Sequence, residues 1–144
     1  MRHDRWIHTA FRLSKNSSVR QYRMCAILVK GGRIIKIGLN RNVPALAKTD
    51  YYPDYCQVHA ETDCLIGVEK STLEGATLYI AGRTRSNGPL LSKPCRHCQR
   101  FLLQFPLKAV FFQTASGKSE PYYAETSLMS NLAQQSKNAG SVAV

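Results

Sequence analysis

Two short segments, His59-Ala60-Glu61 and Pro94-Cys95-Arg96-His97-Cys98, constrain this chain more than anything else in it. A Cys-x-x-Cys pair at a helix start turns both sulfurs to one side, so both can reach one metal ion. A third donor, His59, stands 36 residues earlier (95 − 59), where a second helical pattern begins. A fold that uses all three must bring two helix starts together. Glu61 then lies close to the metal without having to bind it. Three protein ligands leave a fourth tetrahedral position for water, the pattern of catalytic zinc sites, whereas structural sites close with four. Taken alone, the Cys-x-x-Cys pair also suits a redox dithiol. A redox pair has no use for a distant His-x-Glu.

Zinc lowers the pKa of the water it binds to near 7. A carboxylate beside that water can carry its proton to a ring nitrogen and then to a leaving amine. These four residues suffice for hydrolytic deamination of an amino-pyrimidine or amino-purine. His97 sits between the two cysteines on a helix start, points elsewhere, and is not expected to be a ligand. Cys25 and Cys64 fall on apolar faces and read as small core residues. Cys56 lies near His59, but no second cluster of good spacing accompanies it. His3 and His8 read as surface residues.

The 144 residues suit one domain, over residues 1–125, with a C-terminal helix near 126–137 and a flexible tail to 144. With 44% apolar residues the chain can build a core, and no apolar run approaches the roughly 20 residues of a membrane span. The start, MRHDRWIHTAFRLSKNSS, lacks a signal-peptide core, so a soluble, cytoplasmic protein is expected. Five cysteines without an export signal favour metal or catalytic use over disulfides. The net charge of +11 is uneven. Residues 1–50 hold 11 Lys/Arg against Asp4 and Asp50, or +9, and the remaining nine bases and seven acids give +2. No acid occurs between Glu74 and Glu120, which leaves Arg83, Arg85, Lys93, Arg96 and Arg100 uncompensated. Such a field attracts phosphates, whether on a nucleotide or a polymer.

Apolar residues at helical spacing predict an amphipathic helix over about 4–15. MCAILVKGGRIIKIGLN reads as a hairpin turning at Gly31-Gly32, with Asn40 ending the second strand. A loop with two prolines leads into a helix bearing Val58, Cys64, Leu65 and Val68, with His59 in its first turn. ATLYIA is a buried strand, GRTRSNGPLLSK a loop, residues 95–105 a helix, and KAVFFQT a strand. SEPYYAE can return as a fifth strand, restricted to an edge by Pro121. This order predicts an α/β fold, a three-layer α/β/α sandwich around a mixed sheet of about five strands.

The paired motifs resemble the H-x-E…P-C-x-x-C signature of the zinc-dependent cytidine/deoxycytidylate deaminase superfamily. The order of elements over residues 20–115 fits that family's fold as well. The resemblance implies Zn2+ held by His59, Cys95 and Cys98, with hydroxide on the zinc attacking the ring carbon and Glu61 shuttling protons. It also implies that the Ala60 N–H contacts the base carbonyl and that Asn40 contacts the nucleoside. Asn42 is a rival for that role, since the register there is not fixed, and either asparagine suits a plain turn as well. Tyr51, Tyr52 and Tyr55 flank the site helix and suit base stacking or core covering. The resemblance also allows Cys56 to join a second metal site, as found in some deoxycytidylate deaminases.

Three functions follow from the resemblance. The first is conversion of cytosine to uracil in a free nucleotide or nucleoside, dCMP foremost, with release of ammonia. Arg41, Arg83, Arg85 or Lys93 would then hold the phosphate. HAE rather than CAE at the first motif favours the deoxycytidylate branch. The second is a deaminase of single-stranded DNA or RNA cytosine, or of tRNA adenosine, favoured by charge and interleaved aromatics. Against it, the chain has no long arm, and reads LLSKPC where animal editing enzymes carry SWSPC. The third is a non-enzymatic zinc module, which leaves Glu61 unexplained. The family's habit implies a homo-oligomer, with Leu102, Leu103 and Phe105 as interface candidates. RTRSNGPLLSK lengthens the loop before Pro94, and the last strand is antiparallel if FFQTASGKSEPYY is a hairpin.

Overall fold

The computed structural model describes residues 2–42 and 57–123. Helix α1 (Arg2–Ser14) leads into β1 (Tyr22–Lys30) and β2 (Arg33–Leu39), then the short β3 (Arg41–Asn42) and β4 (Gln57–Val58). Helices α2 (Ala60–Leu65) and α3 (Lys70–Leu73) precede β5 (Thr77–Thr84), which is followed by α4 (Arg96–Leu102), β6 (Ala109–Gln113) and β7 (Ser119–Pro121). The main sheet has the order β2-β1-β5-β6-β7. Only β5 and β6 run parallel, joined through α4 as a parallel pair requires a crossover.

The β1–β2 turn carries Gly31 at φ 59° and Gly32 at φ 73°, between the paired residues Lys30 and Arg33. Two positive φ values make the turn whose twist matches the strands, and glycine adopts them without a steric penalty. At the other edge, β6 and β7 form an antiparallel hairpin around Gly117, and Pro121 sits on the outer strand where a missing N–H costs nothing. The last strand is therefore antiparallel.

Side chains alternate across the two central strands and build one core on each face. Ala26, Leu28, Leu78 and Ile80 face α2 and α4 and pack on Cys64, Leu65, Phe101 and Leu102. Cys25, Ile27, Val29, Tyr79 and Ala81 face α1 and pack on Ile7 and Ala10. These are the three layers. Burial pushes the Cys25 and Cys64 thiols up to about 12, as suits core residues.

Several details differ from the sequence reading. Val58 is a strand residue, His59 caps α2 rather than entering it, and α2 ends at Leu65, before Gly67 at φ 79°. α4 stops at Leu102: Gln104 and Phe105 bond back to Phe101 and Leu102, and Pro106 disfavours helix at the residue before it. Leu102 belongs to the core and Phe105 packs on it, so of the three interface candidates only Leu103 is exposed. His3 is partly buried rather than free at the surface. Its Nδ1 lies 2.7 Å from the Tyr79 hydroxyl, and its ring stacks on Phe111 at 3.9 Å. The expected C-terminal helix and tail lie outside the described residues.

Gly38 of β2 is where the sheet meets the helix that carries the site. A Cβ there would collide with the Ala60 carbonyl and the Cys64 N–H, and would stand 2.7 Å from Cys64 Cα. All three are backbone atoms, so no side-chain rotation relieves the clash. Gly38→Ala is expected to cost about 3 kcal/mol, at the upper end of overpacking, read as a lower urea midpoint at unchanged slope. An unchanged midpoint contradicts this account of helix placement.

Candidate metal centre

Each ligand position comes from a helix start. His59 is the N-cap of α2, and Cys95 is the N-cap of α4, its Sγ accepting from the Cys98 N–H at 3.5 Å. Both helices lie on the same face of the sheet and share the core that contains Cys64, Phe101 and Leu102. His59 Nδ1 lies 3.2 Å from Cys98 Sγ and 3.8 Å from Cys95 Sγ, and all three donor atoms fall within 4.8 Å of one another.

A tetrahedral zinc with Zn–S of about 2.3 Å and Zn–N of about 2.0–2.1 Å separates its donors by roughly 3.5–3.8 Å. The set fits. The electrostatics agree: hydrogen bonds from Cys98 and then His59 hold the Cys95 thiol far below its ordinary value, at about 3. Burial alone would lower the His59 pKa, yet Cys95 and Glu61 outweigh it and raise the net value. The centre thus favours a cation between its sulfurs, and metal ligation uses deprotonated donors. Cys98 is fully buried while Cys95 is exposed, so the cluster opens on one side.

That side is a pocket of about 290 Å3, lined by His59, Ala60, Glu61 and Cys95 and by Asn40, Tyr22, Met24 and Leu90–Lys93. This lies near the lower end of small-molecule sites, roughly 300–1,000 Å3. Glu61 is 5% exposed, and burial raises its carboxyl pKa, with His59 and Cys98 pulling it partly back. The Ala60 N–H precedes the first internal bond of α2, from Asp63 N to His59 O.

Of the two rival asparagines, Asn40 is buried and lines the pocket, whereas Asn42 is exposed on β3. Asn40 Oδ1 accepts from the Met24 N–H at 2.8 Å and from Ser17, and Nδ2 donates to the Tyr22 carbonyl at 3.1 Å. Its amide is held in one orientation.

The expected phosphate cations separate. Lys93 lines the pocket. Arg41 is paired with Asp63 at 3.1 Å, and Arg85 is exposed in the turn after β5. Arg83 is turned to the other face of the sheet, because β5 residues alternate and 83 shares parity with Tyr79 and Ala81. There it donates to the Phe11 carbonyl at 2.6 Å and the Ser14 hydroxyl at 3.0 Å. Among the described residues the metal cluster does not include His97. Cys56 and Tyr51, Tyr52 and Tyr55 lie outside the described residues.

Residues not singled out in the sequence support the site. Gln99 Nε2 donates to the Pro94 carbonyl at 2.9 Å and pins the cysteine turn. Gln113 donates to the carbonyls of Gly82 and Leu90 while its own carbonyl accepts from Ser92, which staples the pocket wall to β6. Asp63 accepts from the Leu39 N–H at 3.0 Å and ties the end of β2 to α2. A buried polar residue near a motif is the only sequence signal these offer.

Fold and site together define a three-layer α/β/α domain with an open His-Cys-Cys centre beside a buried carboxylate. Residues 1–114 match the family model described as the cytidine and deoxycytidylate deaminase zinc-binding region. The chain belongs to that family, and membership implies a zinc-dependent hydrolase. Among solved structures it is similar to dCMP deaminase from the cyanophage S-TIM5 in apo form, at 23% identity and TM-score 0.56, covering 78% of this chain and 82% of that one. The same phage enzyme in complex with dCMP and dUMP aligns at 23% identity and TM-score 0.53, over 77% and 79%. Acinetobacter baumannii RibD aligns at 21% identity and TM-score 0.51, over 78% of this chain but 28% of its own length. At such identities the likeness speaks for the fold. No curated protein matches the chain. Among the described residues no helix is long and apolar enough to cross a membrane.

Proposed function

We propose that the protein deaminates cytosine to uracil in a free nucleotide, dCMP foremost, with release of ammonia. The observation that carries this reading is the pocket itself. It is lined by Glu61 and by two of the triad, His59 and Cys95, has about the room a nucleoside needs, and among the described residues has one cation, Lys93, on its lining. His59, Cys95 and Cys98 would hold zinc, which when bound supplies Lewis acidity and a water acidified to near neutral pKa.

The chain's own groups perform the rest. Glu61, buried at the pocket, takes one proton from the attacking water and passes it to the ring nitrogen, then takes the second from the added hydroxyl and gives it to the departing amine. Water contributes oxygen to the ring carbon, the carbon–nitrogen bond breaks, and ammonia leaves. The Ala60 N–H, ahead of the first internal bond of α2, would bond the base carbonyl. Asn40 offers its remaining amide hydrogen to a sugar oxygen, since its carbonyl is occupied by Met24 and Ser17. Lys93 would meet the 5′-phosphate as a point charge.

The test is ammonia release across dCMP, dCTP, deoxycytidine, cytidine, guanine and single-stranded DNA. Turnover is expected to be highest with dCMP. Lys93→Ala is expected to raise KM for dCMP about tenfold, the weight of one charge-assisted hydrogen bond, and to leave deoxycytidine kinetics unchanged. Activity confined to the oligonucleotide overturns the free-nucleotide reading.

A further inference from the structure

Among the described residues the catalytic pocket accounts for one cation, Lys93, in a chain of net charge +11. Part of the excess gathers elsewhere, in a groove of about 450 Å3 between the C-terminal half of α1 and β5. It is lined by Thr9, Arg12, Leu13, Lys15 and Arg83. Arg83 is held there by Phe11 and Ser14, its guanidinium 4.4 Å from the Phe11 ring centre. Arg23, the register partner of Arg83, donates to the Lys15 carbonyl at 3.3 Å. These two arginines cap the end of α1, a structural role that positive charge at a helix C-terminus favours.

Capping does not account for Arg12 and Lys15, which are exposed beside them. No acid lies between Asp4 and Asp50 or between Glu74 and Glu120, the two segments that supply the groove. Asp4, the acid of α1, is engaged by Ser119 at the far end of the helix, and the ion pair among the described residues is Arg41–Asp63. Among the described residues no acid is paired with Arg12 or Lys15, and with Arg23 and Arg83 beside them they make a field that attracts polyanions.

The groove and the catalytic pocket open at the same end of the sheet, on opposite faces. Tyr22 pairs with Thr84 there, adjacent to the Arg23–Arg83 pair. It lines the catalytic pocket and is 45% exposed. A mononucleotide presents too few charges for this cluster, whereas successive phosphates match it. A duplex, stiff over about 150 bp, rides over so small a concavity, while a single strand can bend into it and offer an unstacked base to the tyrosine.

We propose that the α1–β5 groove binds the sugar–phosphate backbone of single-stranded nucleic acid, with Tyr22 as a stacking platform at its pocket end. The binding does not depend on which cytosine compound the catalytic pocket takes. It is tested without cytosine, by fluorescence anisotropy of the full-length protein with a labelled 20-nucleotide oligo-dT and a duplex of equal length. Oligo-dT is expected to bind more tightly than duplex, with log K falling by about 0.7 per neutralised phosphate for each tenfold rise in salt. Arg12→Glu/Lys15→Glu is expected to weaken binding at least tenfold and to flatten that salt slope by about 1.4, two contacts' worth. Both side chains are exposed, so metal content stays at the wild-type value and the melting midpoint falls by only a few degrees, the cost of acids at a helix C-terminus. Tyr22→Leu is expected to weaken binding several-fold at an unchanged salt slope, since stacking is not ionic. Absence of binding at low salt, binding indifferent to the double reversal, or duplex bound as tightly as oligo-dT each overturns the proposal.

Discussion

Glu61→Gln is expected to lower kcat for deamination by roughly 10²–10⁴, the usual share of a positioned proton carrier, while zinc content and KM change little. The side chain is 5% exposed at the pocket floor, and the variant keeps its shape and amide-level hydrogen bonding while removing the group that accepts and returns the proton. Burial already disfavours the charged carboxylate, so a neutral isostere carries little cost in stability. Steady-state ammonia release with metal analysis on the same preparation is the measurement. A variant that turns over at the wild-type rate removes Glu61 from the mechanism, and one that loses zinc makes it a structural residue instead.

Cys98→Ala is expected to have the largest combined effect. Cys98 is the fully buried ligand, and its removal leaves His59 and Cys95 alone, too few to hold the ion tightly. Activity should fall to background. Stability should fall with it, because an ion that binds only the folded state stabilises by about 4.1 kcal/mol at a thousandfold excess over its Kd. At the roughly 2–4 °C per kcal/mol of a domain near this size, that is a drop of about 10 °C in the melting midpoint. Wild-type protein stripped with a chelator should melt at nearly the variant's temperature. If the variant still binds one zinc per chain, the triad assignment fails.

The parts legible in the sequence are those set by short-range chemistry. Gly31-Gly32 between alternating apolar runs specifies a hairpin because two positive φ values are needed at adjacent residues. Pro121 marks an edge strand because it lacks a donor. His59, Cys95, Cys98 and Glu61 announce themselves because metal chemistry demands those residue types at close spacing. The phosphate cations were not legible in the same way. Arg83 and Lys93 look equivalent in an acid-free stretch, yet one turns onto α1 and the other lines the pocket. Strand parity decides that, and parity depends on which face of β5 each helix covers. His3 shows the same limit, since nothing near it in the chain reveals Tyr79 and Phe111 as its neighbours.

By itself the sequence determined the hairpin, the three-layer order of helices and strands, and the donor set of a metal centre, because each follows from local geometry or residue chemistry. Only the tertiary structure decided that the donor atoms from the two helix starts lie within 4.8 Å of one another, with α2 seated closely on β2 at Gly38. It alone selected buried Asn40 over exposed Asn42 as a pocket residue, and it divided the basic residues between the pocket rim and a separate groove. Those are questions of which surfaces pack together, and packing is a property of elements far apart in the chain.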